Sequence, residues 1–156
     1  MNVYKKLLIQ VCIISISIVF NSDSLAMCNA EPQIRKKFDE FVQGYTNKDI
    51  DMTMSIFAPD VTANVQQSSN ELAYQDIKNG ILKDFSDNEV RYYYTYDIKE
   101  IMCTDTMAIV RIIWTLKVFD IQRNTVIKIA KEVGMDIFKR YDNTWQLYRF
   151  IAYPEK

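Results

Sequence analysis

The stretch Lys131–Lys156, KEVGMDIFKRYDNTWQLYRFIAYPEK, decides the fold class. Two runs rich in β-branched and aromatic residues flank the turn-forming trio Asp142-Asn143-Thr144, so the stretch reads as the two arms of a hairpin. At a strand's period of two, Val133, Met135, Ile137 and Tyr141 share one face, and Gly134, Asp136, Phe138 and Arg140 share the other. Asp136 therefore sits on one strand face, between Met135 and Ile137. It is a catalytic acid or base, a ligand-binding group, or a polar residue paired with Arg140 or a cross-strand neighbour on a half-wet face.

Working back from this hairpin, the same β character fills the whole C-terminal half. Strands are predicted over Val90–Met102, Met107–Asp120, Thr125–Tyr141 and Trp145–Tyr153, joined by the short connections CTDT, IQRN and DNT. In Arg91–Tyr96, RYYYTY, alternation sends Tyr92, Tyr94 and Tyr96 to one face and Tyr93 to the other. In Met107–Phe119, Ala108, Val110, Ile112, Trp114, Leu116 and Val118 form one side. Ile109, Ile113 and Phe119 share the other with Arg111, Thr115 and Lys117, as expected for a central strand buried on one face and partly covered on the other.

Upstream the period changes. From Pro32, Ile34, Phe38, Phe41, Val42 and Tyr45 recur at helical spacing, and the helix is expected to end near Asn47-Lys48. A short second helix starting at Asp49 or Asp51 turns Ile50, Met54 and Phe57 inward and stops at Pro59. Val61–Gln67 reads as a strand, and a third helix opens with a capping box from Ser68 to Glu71, with Leu72, Ile77, Ile81 and Phe85 as its buried stripe. Helices first and a meander last give an α+β fold, three helices packed on one face of an antiparallel sheet.

Composition narrows the chemistry. The 156 residues contain no histidine, which removes Ser-His-Asp and Cys-His catalysis and every histidine-ligated metal; no metal and no cofactor are expected. Lys5 and Lys6, the apolar run Leu7–Phe20 and the small residues Ser24 and Ala26 read as a secretory signal. That run falls short of the roughly 20 residues a spanning helix needs, so cleavage after Ala26 is expected, with no stable membrane span afterwards. Residues 1–26 are then the signal and 27–156 a single domain. Cleavage takes the formal net charge from −1 to −2 without leaving a basic cluster, which argues against a nucleic-acid partner. Cys28 and Cys103 remain, and in an oxidising compartment they suggest one disulfide; a free Cys28, or Leu25-Ala26-Met27-Cys28 as a lipidation box, are the alternatives.

Three stretches together resemble the nuclear-transport-factor-2-like superfamily, which includes ketosteroid isomerases and SnoaL-like polyketide cyclases. They are NKDIDMTMSIFAPDVTANV (47–65), LAYQDIKNGILKDF (72–85, with Ala73 where the family often has Gly) and MDIFKRYDNTWQLYRFIAYP (135–154). The resemblance spans Pro32 to Pro154. It implies a strongly curved sheet wrapped round a long helix into a cone with an apolar cavity, and frequent homodimers. It also implies positions. Val65 stands where ketosteroid isomerases carry their Asp base and Phe41 where they carry an oxyanion-hole Tyr; only Asp136 matches, as the second oxyanion donor. An Asp/Arg/Asp water-activating set of the limonene-epoxide-hydrolase kind has no counterpart that the sequence identifies.

Such a cone hosts many functions. The leading expectation is an exported binder of a small, mainly apolar molecule, acting as a homodimer without catalysis. Asp136, Phe138, Phe41, Val65, Tyr94 and Tyr96 are its candidate ligand-binding residues. A cyclase, isomerase or hydrolase using Asp136 as acid or base is the second reading, and it requires another polar group facing Asp136 in the cavity. An interaction module of an envelope assembly, similar to the periplasmic domains of type IV secretion scaffolds, is the third. Arg149 is a candidate anion partner inside the cone, against an outward salt bridge.

Overall fold

A computed structural model describes residues 28–65 and 70–155. The signal stretch, its cleavage site and the Ser68 half of the capping box lie outside these residues.

Helix α1 covers Glu31–Asn47 with Pro32 in its first turn, where a missing N–H costs no hydrogen bond. Ile34, Phe38 and Tyr45 are buried along one stripe. Lys48 closes the helix in the left-handed region, φ 56°, and its backbone N–H donates to the Tyr45 carbonyl. The Lys48 ammonium donates to the carbonyls of Phe85 (2.8 Å) and Asp87 (2.7 Å), so one side chain satisfies orphan acceptors at the end of the helix that closes at Ser86. Helix α2, Ile50–Met54, starts from Asp49, whose carboxylate accepts from the Met52 N–H at 3.0 Å.

Here the chain departs from expectation. Strand β1 begins at Phe57 and runs to Val65, so Phe57 belongs to the sheet and Pro59 lies inside a strand instead of stopping a helix. The pairing register slips between Phe57 and Thr62, and that irregularity accommodates an exposed proline with no N–H to offer. Leu72 and Ala73 form a two-residue strand β2 beside β1 rather than the first turn of a helix. Helix α3 is Tyr74–Ser86, and Asp76 accepts from the Ala73 N–H at 3.0 Å in the role expected of Glu71. Glu71 itself accepts the Thr62 hydroxyl, across to β1.

The last four strands match the sequence reading within a residue at either end: β3 Val90–Cys103, β4 Met107–Asp120, β5 Thr125–Tyr141 and β6 Thr144–Pro154. The sheet order is β2-β1-β6-β5-β4-β3, antiparallel except that β1 runs parallel to β6. Such a parallel pair needs a long crossover, and the helices and the meander supply it. The sheet is curved and unclosed, and the helices pack on its inner face.

Phe38 of α1 anchors the core, its ring 5.3 Å from that of Phe138 on β5 and 5.5 Å from that of Trp114 on β4. Complete burial of such a phenylalanine contributes roughly 1.5–3 kcal/mol. Cys28 and Cys103 are disulfide-bonded, tying the chain ahead of α1 to the end of β3 across a sequence separation of 75. The free-thiol and lipidated readings of Cys28 therefore give way to the disulfide.

Candidate functional site

Between α1, α3 and the inner face of the sheet lies a cavity of about 180 Å³. Phe41 and Tyr45 come to it from α1, and Ile77 and Ile81 from α3. Tyr94 comes from β3, Trp114 from β4, Glu132 and Asp136 from β5, and Phe150 and Ala152 from β6. Glu132 and Asp136, and likewise Phe150 and Ala152, are an even number of positions apart, because only every second side chain of a strand points inward, and Leu147 joins the wall across the register shift between β5 and β6.

Asp136 is 3 % exposed. Its neighbours across the strands, Val110 on β4 and Phe150 on β6, carry no polar side-chain group. Burial pushes its carboxyl up from 3.8 to about 7, and a hydrogen bond from the Trp114 indole N–H pulls the other way. The alternative in which Asp136 pairs with Arg140 is not what the structure has. That guanidinium turns to the backbone carbonyls of Asp142 (3.1 Å) and Asp105 (3.4 Å) at the hairpin end of the sheet.

Polar company comes from elsewhere. Glu132, exposed, lines the same cavity four residues before Asp136. Tyr45 donates its phenol to Asp84 at 2.5 Å, and burial raises its pKa together with the neighbouring Tyr94 and Asp84. The Tyr94 phenol is hydrogen-bonded to Tyr45 and is raised by burial first and by Asp84 second. The signal for Glu132 in the sequence is the alternation Glu132-Gly134-Asp136-Phe138, which extends the face of Asp136 one step further back than Gly134.

Of the candidate ligand-binding residues, the cavity gathers Asp136, Phe41 and Tyr94. Phe138 is fully buried in the core instead, where the ring of Phe38 covers it. Val65, half-buried, ends β1 opposite Ala152, beyond the cavity lining. Tyr96 reaches past the cavity and donates to Asp39 at 2.6 Å on the exposed side of α1, with burial and that bond raising its pKa to about 12. Arg149 does not line the cavity and has no salt bridge among the described residues: it donates to the Asp60 carbonyl at 2.8 Å and stacks on Tyr148, 3.7 Å from the ring centre. A wider hollow of about 470 Å³ between α2, α3 and β1, bordered by Asp51, Tyr74 and Lys78, has no buried carboxylate on its wall. Among the described residues no three carboxylate or thiol groups cluster as metal ligands.

No family pattern and no curated protein matches the chain by sequence. Solved structures do match in shape. An NTF-2-like protein of unknown function from Shewanella oneidensis superposes with a TM-score of 0.66 at 16 % identity, over 79 % of this chain and 98 % of that one. The chain has the NTF2-like fold. A conserved protein from Planctomyces limnophilus gives a TM-score of 0.66 at 19 % identity, over 80 % of this NTF2-like chain and 97 % of its own. A ketosteroid-isomerase-like protein from Erwinia carotovora atroseptica gives 0.64 at 14 %, over 83 % and 98 %. At such identities the agreement concerns the fold alone, so function has to be argued from the cavity of this NTF2-like domain.

Proposed function

We propose that the chain is an exported NTF2-like domain that binds a small, mainly apolar molecule in its cone, as a homodimer and without catalysing a reaction. The observation that carries this reading is the cavity itself, with aromatic and aliphatic walls and one deeply buried carboxylate held by an indole N–H. Its 180 Å³ is somewhat larger than the ~150 Å³ apolar cavity that accepts benzene, so the ligand is of single-ring size. Phe41 in the place of a phenol and Val65 in the place of a base support binding over isomerase chemistry.

Thermal unfolding in the presence of small aromatic and alicyclic compounds tests it, with wild type beside Asp136→Ala. Binding to the native state must raise the melting temperature, by an amount set by ligand concentration over Kd. A panel without a single stabilising compound overturns the reading. Export rests on the signal-like N-terminus and accords with the disulfide. Intact mass of the protein from its native host should correspond to a chain starting at Met27.

The catalytic reading keeps one observation in its favour: Asp136, at about 7, can exchange a proton near neutrality, with Tyr94 and Glu132 on the same cavity. Deuterium exchange next to the carbonyl of small cyclic ketones, followed by NMR, checks it. Exchange absent from wild type, or unchanged in Asp136→Asn, excludes this role.

A further inference from the structure

The ionisable groups on the cavity wall are Glu132, Asp136, Tyr45 and Tyr94, every one an acid, and no lysine or arginine among the described residues lines it. Of the basic side chains on β4, β5 and β6, Lys128 continues the row of Asp136 and Glu132 outward, exposed four residues beyond Glu132 and off the cavity wall, and the others turn away from the cavity. Lys131 pairs with Glu155, Arg111 with Glu100, Lys139 lies over Tyr141 and Tyr148, and Arg140 and Arg149 turn to backbone carbonyls. We propose that this cavity selects a cation: a single-ring or similarly small apolar molecule bearing one quaternary or protonated amine. The inference rests on the small-molecule reading above and narrows its ligand class.

Three physical features support it. First, the walls are aromatic as well as acidic, with Phe41, Tyr94, Trp114 and Phe150 among the lining rings. Aromatic rings attract a desolvated cation through their quadrupole, an attraction that neutral or anionic ligands do not share. Second, the acids are staged. Glu132 is exposed, whereas Asp136 is buried four residues further along the same inward-facing row, roughly 13 Å at a strand's rise. An entering cation meets one carboxylate at the mouth and the other inside. Third, the Asp136 carboxylate takes a hydrogen bond from Trp114, and its cross-strand neighbours bring no cation. When empty the site compensates the buried charge by holding a proton, and a ligand cation replaces that proton as counter-ion. An anionic ligand would find no lysine or arginine on the wall to pair with and would face the Glu132 carboxylate.

Phenyltrimethylammonium and tert-butylbenzene have the same shape and differ in one charge, and benzenesulfonate reverses its sign. Affinities for the three are measured at pH 8 by melting-temperature shift and by quenching of tryptophan fluorescence, since Trp114 is on the wall. The ammonium compound is expected to bind about tenfold more tightly than its carbon isostere, with no detectable binding of the sulfonate. Asp136→Asn, which keeps the shape and removes the charge, should bring the preference to within about threefold. Glu132→Gln lies at an exposed position where folding is not at stake, and it should slow association and weaken the ammonium compound alone. Equal affinity for the two isosteres, a sulfonate that binds as well, or a preference unaltered in both variants overturns the cation inference and leaves the small-molecule reading standing. Absence of binding by all three overturns the inference; absence of binding across the wider panel as well overturns both.

Discussion

Asp136 illustrates how far a single residue can be read. Alternation groups it with Gly134 and Phe138 on one strand face without saying which face is the inner one, and composition says that no histidine can share its work. Its titration was not legible, because that depends on what the neighbouring strands bring against it. With a folded-state value of about 7 against an ordinary 3.8, the folded protein keeps a proton that the unfolded chain has released throughout the window between them. Stability is therefore lost as pH rises through that window, and the full cost, on the order of a few kcal/mol, is present above it. Asp136→Asn removes the cost. Urea denaturation at pH 5 and pH 8 should show the variant gaining on wild type at the higher pH; an equal difference at both pH values would sink the assignment. Glu132 and Tyr94 shared the same inward alternation with Asp136 and Tyr96. Whether each such residue reached the cavity, the core or the rim was decided by the curve of the sheet and by α1 lying across it.

Elements were legible in proportion to how local their causes are. Strands β3 to β6 announce themselves through alternation and turn residues, and α1 through its apolar stripe, so their limits came within a residue or two. The segment from Ile50 to Tyr74 did not, because β1 and β2 exist through pairing with β6 and with each other. Pro59 carries its usual local meaning of a helix stop, yet a register slip in the pairing lets it sit within a strand. The contact between α1 and α2 is equally non-local. A Cβ added at Gly44 would stand 2.6 Å from the Thr53 backbone nitrogen and 2.7 Å from its hydroxyl oxygen, so the two helices cannot keep their approach. Gly44→Ala should destabilise the fold by about 2–3 kcal/mol despite the better helix propensity of alanine, as chemical denaturation would record. An unchanged or raised stability would show that α2 moves away at no cost. Asp49→Ala, which removes the α2 cap, should cost about 1 kcal/mol by the same measurement.

At the scale of the whole molecule, two features join distant parts. The Cys28–Cys103 bond closes a loop across a separation of 75 residues, and chain-entropy arguments assign such a bond roughly 4 kcal/mol. The Cys28→Ser/Cys103→Ser double variant should unfold at correspondingly lower denaturant, and a reducing agent should have the same effect on wild type and none on the variant. The outer face of the sheet carries exposed Val133, Met135, Ile151 and Tyr153 in adjoining cross-strand pairs, with half-buried Ile109, Ile113 and Ile137 beside them. A patch of this kind is what the proposed homodimer would cover. Light scattering should find a dimer in wild type and a monomer in Met135→Glu, and a monomeric wild type would refute that part of the proposal. The sequence by itself determined the α+β order, the strand faces and the missing histidine, because each follows from composition or from neighbours within a few residues, and the structure then put the Asp136 face inward. Only the tertiary structure decided that β1 runs parallel to β6 and that Trp114, not Arg140, meets Asp136. It also decided that Glu132 and Tyr94, rather than Phe138 and Tyr96, line the cavity. Those outcomes turn on register, curvature and the seating of α1, which are fixed by contacts between residues far apart in the chain.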